Sequence, residues 1–272
     1  MTLTLAISPC PNDTFVFHAL VHGLVPDAPP VDVTYADVDV TNNAAEAGAF
    51  DLVKVSYAAL PWLLPRYTLL PTGGALGRGC GPLVLVKDAK VTSLEGKTVA
   101  VPGDRTTAYL LMRLWSAGAP PAAVKIVPFA EIMPAVAAGA YDAGLVIHEA
   151  RFTYPRYGLH ALADLGEWWE GDTGLPIPLG AILAHRDRVD AQAATGWVRN
   201  SLKRAWAEPD RSRTYVLVHA QEMERDVVKQ HIELYVNDFT DSLGDEGYAA
   251  IETLLGRAAD KKLVPKIKQR LR

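Results

Sequence analysis

His148 is the residue best placed to transfer a proton, because it directly follows an apolar run at residues 143–147 that predicts a buried strand. In open parallel sheets, ligands bind just outside the carboxyl ends of the strands, which is where this histidine falls. Histidine titrates near neutral pH, so it can accept a proton and return it. The alternative is a strand-end histidine that only hydrogen-bonds a neighbouring carbonyl. No pair of His or Cys residues in the sequence has metal-ligand spacing.

Lys54 and Cys10 are candidates for a charged or reactive contact. Lys54 lies inside an apolar strand pattern at residues 51–56, so its ammonium group must reach water, an acid or a ligand. A salt bridge between two lobes and a contact to a substrate carboxylate explain it equally well. Cys10 precedes a predicted helix, whose N-terminus can lower a thiol pKa, but nothing in the sequence places a base beside it.

Short polar segments open two predicted helices. Asn12, Asp13 and Thr14 follow the first strand of the chain. Thr106 and Thr107 follow a later strand in the same way. Free backbone N–H groups at helix N-termini attract oxygen anions and hydroxyls. Helix capping alone would explain each segment, but together, at the ends of facing strands, they predict a polar cleft.

A repeated order of strands and helices must position these segments. The first unit predicts strands at residues 2–7, 31–37 and 51–56, with a helix capped by Asn12 or Asp13 and a shorter one opened by Thr41. The second unit predicts strands at residues 97–101, 124–127 and 142–147, with helices at 106–116 and 129–138. The string AGAFD at 47–51 matches AGAYD at 138–142. Strands that alternate with helices imply parallel sheets, and two such units imply an α/β protein of two lobes with a ligand cleft between them.

The remaining segments connect the two lobes. A glycine-rich stretch at residues 73–82 lacks the G-K-[ST] ending of a phosphate-binding loop, and we interpret it as the approach to the crossover into the second lobe. Residues 174–184 predict the strand that returns the chain, and the pattern beyond residue 190 is helical, including residues 215–236. We therefore assign residues 1–85 and 184–272 to lobe one and residues 86–183 to lobe two.

Composition excludes several classes of protein. The chain has 272 residues, of which 49% are hydrophobic and 21% charged, which is typical of a globular protein and not of a disordered one. A formal net charge of −4 with scattered basic residues predicts no nucleic-acid partner. The two cysteines are far apart, and no stretch resembles a signal peptide or a membrane span, so we expect a soluble, cytoplasmic protein with reduced thiols.

Six segments resemble a known family. They are SPCPNDTF (8–15), KVSYAA (54–59), GGALGRGCGP (73–82), TTAYLL (106–111), GLVIHEARFTYPRYGL (144–159) and GLPIPLGAI (174–182). They are similar to segments of the 1,4-dihydroxy-6-naphthoate synthases, the MqnD family of menaquinone biosynthesis by the futalosine route. The resemblance implies a periplasmic-binding-protein-like fold of the second type, in which each lobe is a mostly parallel sheet flanked by helices. It also implies a lyase that converts cyclic dehypoxanthinyl futalosine to 1,4-dihydroxy-6-naphthoate, with no metal or organic cofactor.

The same resemblance assigns roles to residues of this chain. The base of the family falls on His148. Its substrate contacts fall on Lys54, Val55, Ser56, Thr106 and Thr107. Asn12 and Asp13 join the candidate substrate contacts because they lie at the predicted cleft.

Other functions remain possible on the same fold. One is chorismate dehydratase, a sister enzyme of the same pathway, although the IHEARFTYPRYGL string favours the naphthoate synthase. A solute-binding protein would need export, and a regulator would need a DNA-binding domain, and the sequence suggests neither. The helical C-terminal region could support a homodimer, which no motif specifies.

Overall fold

The computed structural model describes residues 2–220 and 224–272. The strands, in chain order, are β1 (Leu3–Ile7), β2 (Val31–Tyr35), β3 (Leu52–Ser56), β4 (Tyr67–Leu69), β5 (Ala75–Gly77), β6 (Leu83–Val86), β7 (Thr98–Val101), β8 (Ala123–Ile126), β9 (Ala143–Val146), β10 (His160–Asp164) and β11 (Ile177–His185). The α-helices are α1 (Pro11–Val21), α2 (Val38–Glu46), α3 (Leu60–Leu63), α4 (Thr107–Trp115), α5 (Phe129–Ala137), α6 (Ala150–Thr153), α7 (Leu165–Thr173), α8 (Ala191–Ala207), α9 (Arg213–His219), α10 (Arg225–Tyr235), α11 (Asp238–Asp241) and α12 (Gly244–Asp260). Residues 221–223, inside the segment predicted to be helical, lie outside the described residues.

Two sheets form the centres of two lobes. The sheet of the first lobe has the strand order β2-β1-β3-β11-β4, with β5 also paired to β11, and that of the second has the order β10-β6-β9-β7-β8. Both sheets are mixed, and not mostly parallel as the sequence predicted. The strands of the two predicted units pair in parallel, whereas β11 runs antiparallel to β3 and β6 runs antiparallel to β9. The antiparallel pairs arise where the chain enters one lobe directly from the other, without a crossover helix within that sheet.

The predicted internal repeat is confirmed by the topology. The strand order β2-β1-β3 in the first lobe has its counterpart in β8-β7-β9 in the second, with parallel pairing in both. The matching pentapeptides also adopt the same structure. Gly48 and Gly139 end their helices with φ of 73° and 79°, a left-handed conformation that glycine adopts without steric cost. The aspartate that follows each glycine accepts a backbone hydrogen bond from the neighbouring strand, Asp51 from Thr4 and Asp142 from Thr98.

The structure places the starts of two helices, α1 and α2, earlier than the sequence predicted, and it agrees with the prediction at the start of α4. The prediction that Asn12 or Asp13 caps α1 was wrong, because the helix begins at Pro11 with Cys10 as its N-cap. Proline suits this first position, since its φ is already helical and its missing N–H would have no partner there. The second helix also begins earlier than Thr41, after Asp37. Thr106 does cap α4, where its Oγ1 accepts the N–H of Tyr109 at 3.2 Å.

The C-terminal helices complete the core of the first lobe. Val198 and Leu202 of α8 are fully buried in the same cluster as Phe17 and Leu20 of α1. Ala250, Ile251 and Leu254 of α12 lie in a larger cluster that includes strands of both sheets. This shared cluster holds the two sheets against each other. Within the described residues, no helix combines the length and the apolar character that a membrane crossing requires.

Candidate active site

A cavity of about 620 Å³, a volume that includes space open to bulk solvent, lies where the two lobes meet. Its polar lining comes from strand ends and helix starts of both lobes, as the sequence predicted. The lining residues are Ser8, Asn12, Asp13, Val38, Lys54, Ser56, Ala75, Cys80, Pro82, Thr106, Thr107, Ala108, Ile147, His148, Leu179, Gly180 and Tyr235. The predicted base and all the predicted substrate contacts except Val55 line the cavity, whereas the other candidates, Cys10 and Thr14, are not among the lining residues. The alternation of β3 turns Val55 into the hydrophobic core, away from Lys54 and Ser56.

His148 reaches the cavity from a turn after β9. Its backbone has a φ of 56°, a left-handed conformation that is uncommon for a residue with a side chain and that is often found at functional sites. Its Nδ1 lies 2.8 Å from the Sγ of Cys10, which belongs to the other lobe. Burial lowers the pKa of His148 to about 4, against the opposing effect of Asp13. The imidazole is therefore neutral at pH 7, which is the state that can accept a proton.

Cys10 differs from its prediction in two ways. It does lie at the start of α1, but burial and the nearby carboxylate of Glu149 raise the pKa of its thiol well above the usual value. The expected lowering by the helix N-terminus is outweighed, because this end of the helix is closed off from water. In addition, a base does lie beside it, since His148 is its neighbour.

Lys54 forms an ion pair with Asp13. The distance from Nζ to Oδ1 is 2.5 Å, and the two side chains are 7% and 2% exposed. Both residues belong to the first lobe, so the salt bridge does not join the lobes as one interpretation expected. Asp13 also accepts hydrogen bonds from the backbone and hydroxyl of Ser8. Gly180 leaves room for the lysine, because a Cβ there would lie 2.6 Å from its Cε.

The hydroxyl groups differ in how much of their bonding capacity the protein already uses. Thr107 donates its hydroxyl to the carbonyl of Leu179 at 2.8 Å and accepts the N–H of Ala58. Thr106 donates to the carbonyl of Gly103 while it caps α4. Ser56 accepts a hydrogen bond from the amide of Asn42 at 3.2 Å, so its own O–H remains available to a ligand in the cavity.

Sequence reasoning missed a buried group on the C-terminal helix α10. His231 is fully buried, and its Nε2–H donates to Asn12 Oδ1 at 2.9 Å. Its Nδ1 lies 3.8 Å from a carboxylate oxygen of Glu149, which follows His148 in the second lobe. Burial lowers the pKa of His231 well below its usual value, so it is neutral. The sequence did contain a signal for the burial of His231. It lies four residues from both Val227 and Tyr235, and this spacing places all three on the buried face of the helix.

Three of these residues could also face a metal ion. Within the described part of the chain, one group has the required ligand atoms, those of Cys10, His148 and Glu149, which lie within 4.8 Å of one another. However, the 2.8 Å between Sγ and Nδ1 is shorter than the separation of roughly 3.5 Å that bonds of about 2.3 Å and 2.0 Å to one tetrahedral zinc would give. The geometry fits a direct hydrogen bond between Cys10 and His148 better than shared ligation.

Comparison with known sequences identifies close relatives. A family model described as "Menaquinone biosynthesis" matches residues 3–260. A 1,4-dihydroxy-6-naphthoate synthase of Streptomyces coelicolor is 61% identical over 270 residues, which cover 97% of this chain and 95% of that protein. One of Thermus thermophilus is 47% identical over 263 residues, covering 96% of this chain and 95% of the relative.

Comparison with solved structures confirms the fold class. A protein of Archaeoglobus fulgidus superposes with a TM-score of 0.91 at 32% identity, covering 97% of this chain and 98% of its own. The alkanesulfonate-binding protein of Xanthomonas axonopodis, bound to MOPS, has a TM-score of 0.75 at 16% identity, covering 97% and 94%. The latter likeness concerns the fold alone, and it establishes the two-lobed architecture of periplasmic binding proteins.

Proposed function

The chain belongs to the menaquinone-biosynthesis family, and from this premise we propose that it is a 1,4-dihydroxy-6-naphthoate synthase that acts on cyclic dehypoxanthinyl futalosine. The relatives in Streptomyces and Thermus that bear this name match nearly the whole chain, so the proposal covers the complete two-lobed unit. The observation that carries it is the neutral, half-buried His148 at the cavity between the lobes.

The proposed reaction breaks a carbon–carbon bond next to a carbonyl group. Such a step needs a base that removes a proton and donors that hold the oxygen on which negative charge develops. We assign the base to His148. We assign the donors to the O–H of Ser56 and to the first backbone N–H groups of α4, which begins at Thr107. Formation of the aromatic product supplies the driving force, so the chemistry requires no redox cofactor.

The polar wall of the cavity would hold the substrate. Lys54 uses one of its three N–H donors for Asp13 and can direct another at a substrate carboxylate. Asn12 is fixed by His231 and donates to Asp13, so it and Asp13 complete this wall. Thr106 and Thr107 hold the start of α4 in place through their hydroxyl hydrogen bonds. We assign the two closing lobes to residues 1–85 with 184–272 and to residues 86–183, with both boundaries moved so that β11 falls in the first lobe and β6 in the second, as their sheets require.

Closure of the lobes would exclude water from the reactive intermediate. The contacts of Cys10 with His148 and of His231 with Glu149 each join one lobe to the other at the cavity. A small-molecule substrate of this kind is expected in the cytoplasm, and that location is part of the proposal.

The proposal is tested by turnover of defined substrates. Purified protein is incubated in parallel with cyclic dehypoxanthinyl futalosine and with chorismate, and the products are identified by chromatography and mass spectrometry. We expect 1,4-dihydroxy-6-naphthoate from the first substrate and no consumption of the second. Dehydration of chorismate would reassign the chain to the sister enzyme, and folded protein that converts neither substrate would contradict a catalytic function.

A further inference from the structure

The contact between Cys10 and His148 has a chemical consequence that neither residue has alone. The two side chains come from different lobes, from the start of α1 and from the turn after β9, and are 138 residues apart in sequence. Cys10 is only 2% exposed, and the left-handed backbone of His148 fixes the direction from which its ring enters the cavity. The 2.8 Å between Sγ and Nδ1 allows one hydrogen bond, whose direction decides what the other ring nitrogen can do.

A neutral imidazole carries a single N–H. If the thiol donates to Nδ1, the ring hydrogen must lie on Nε2, which is then a donor and cannot act as a base. If Nδ1–H donates to the sulfur, Nε2 keeps a free lone pair and can accept a proton from a substrate. The same nitrogen then returns the proton later, and the ring passes through an imidazolium whose Nδ1–H still faces the sulfur.

The surrounding charge favours the second arrangement. A carboxylate oxygen of Glu149 lies within 4.8 Å of Sγ and of a ring nitrogen of His148. This negative charge attracts the S–H hydrogen, which turns it away from the ring and leaves a sulfur lone pair facing Nδ1. Burial, reinforced by the same charge, raises the pKa of the Cys10 thiol and keeps it protonated, so Cys10 is not suited to act as a nucleophile.

We propose that Cys10 is a positioning residue for His148, because its sulfur accepts the Nδ1–H and thereby holds Nε2 as a free lone pair at the cavity. This inference rests on the proposed function of His148 as the base. Since the two residues belong to different lobes, the active tautomer is selected only when the lobes are together. Cys10 thus couples closure of the cleft to activation of the base.

Two substitutions at one position separate this role from simple packing. In Cys10→Ser the hydroxyl oxygen can still accept the Nδ1–H, whereas in Cys10→Ala nothing can. We expect Cys10→Ala to lower kcat about 10- to 100-fold, as loss of an orienting partner does for histidine ligands, and Cys10→Ser to keep kcat within about fivefold of the original protein. KM should stay within about twofold in both, because neither change removes a substrate contact. If packing alone mattered, serine would be no better than alanine, and both variants would change stability without this split in kcat.

The tautomer itself can be read without any substrate. Nitrogen-15 NMR of histidine-labelled protein distinguishes protonated from bare ring nitrogens, and the His148→Asn variant identifies the His148 signals by their loss. We expect Nδ1–H and bare Nε2 in the original protein and in Cys10→Ser, and a mixture of tautomers in Cys10→Ala. An Nε2–H tautomer in the original protein, or an unchanged spectrum in Cys10→Ala, would overturn the inference. Because this result needs no turnover, it is independent of whether the proposed substrate is correct.

Discussion

Removal of the positive charge of Lys54 should destabilise the protein strongly, because it leaves Asp13 charged and buried. The two side chains are 7% and 2% exposed, so water cannot replace the lost partner. Breaking a buried ion pair from one side typically costs about 3–5 kcal/mol. Asp13 retains hydrogen bonds from Ser8 and Asn12, which compensate part of its charge. We therefore expect Lys54→Met to cost about 3 kcal/mol, at the lower end of that range.

The assay is urea denaturation followed by circular dichroism, together with thermal melting. A loss of about 3 kcal/mol in a chain of this size corresponds to a fall in Tm of roughly 6–12 °C. The double variant Asp13→Asn/Lys54→Met removes both charges and should recover about 2 kcal/mol of that loss. The matched control is Lys229→Met, since Lys229 pairs with Glu233 at 3.7 Å on an exposed helix surface. That change should cost no more than about 0.5 kcal/mol.

A small effect would refute the reasoning. If Lys54→Met cost less than about 1 kcal/mol, similar to the exposed control, the charge of Asp13 would have to be satisfied without Lys54. The lysine would then be available as an unpaired cation for a substrate carboxylate, which is the stronger form of its predicted binding role. A loss that the double variant failed to recover would show that packing, and not charge, accounts for the effect.

Other expected results concern the base and the scaffold. Burial lowers the pKa of His148 to about 4, so the base is unprotonated above that pH. We therefore expect kcat/KM to stay level from pH 8 to about pH 5.5 and to fall only as the pH approaches 4. A midpoint near pH 6.5 would contradict the lowered pKa of His148. In Gly81→Ala the added methyl carbon would overlap the backbone of Gly166, so we expect the free energy of unfolding to fall by at least about 2 kcal/mol. The control is Gly118→Ala, where no atom lies within 4 Å of the added carbon, and it should cause no loss in the same denaturation assay. Asp190→Ala removes the acceptor that caps α8 and should cost about 1 kcal/mol by urea denaturation; an unchanged midpoint would show that the cap does not contribute.

The fold was largely predictable because its repeated units are local in sequence. Each parallel strand and the helix that follows it show their own periodicity, and the glycine and aspartate of the matched pentapeptides define where one ends and the next begins. The strands that pair antiparallel were harder to find. The segments of β6 and β10 lie outside the repeated strand–helix units, and their antiparallel pairing begins with β6, where the chain arrives from the other lobe.

The candidate site was predictable only where strand ends define it. The position of His148 after a buried strand, and of Lys54 inside one, sufficed to select both residues. In contrast, the partners that set their chemistry lie far away in sequence: Cys10 is 138 residues from His148, and His231 is 219 residues from Asn12. No local pattern encodes such contacts. The start of α1 was predicted wrongly for a related reason. Asn12 and Asp13 are residue types that often cap helices, but here their side chains line the cavity and bind distant partners.

Turnover by the His148→Asn variant tests the central claim most directly. Asparagine keeps a similar size and can still hydrogen-bond, but it cannot accept a proton as a base. With cyclic dehypoxanthinyl futalosine as substrate, the original protein should form 1,4-dihydroxy-6-naphthoate, and the variant should be slower by about 10²–10⁴-fold in kcat while remaining folded. A folded variant that retained turnover within about tenfold of the original protein would contradict the assignment of His148 as the base, since general bases contribute at least about 10²-fold.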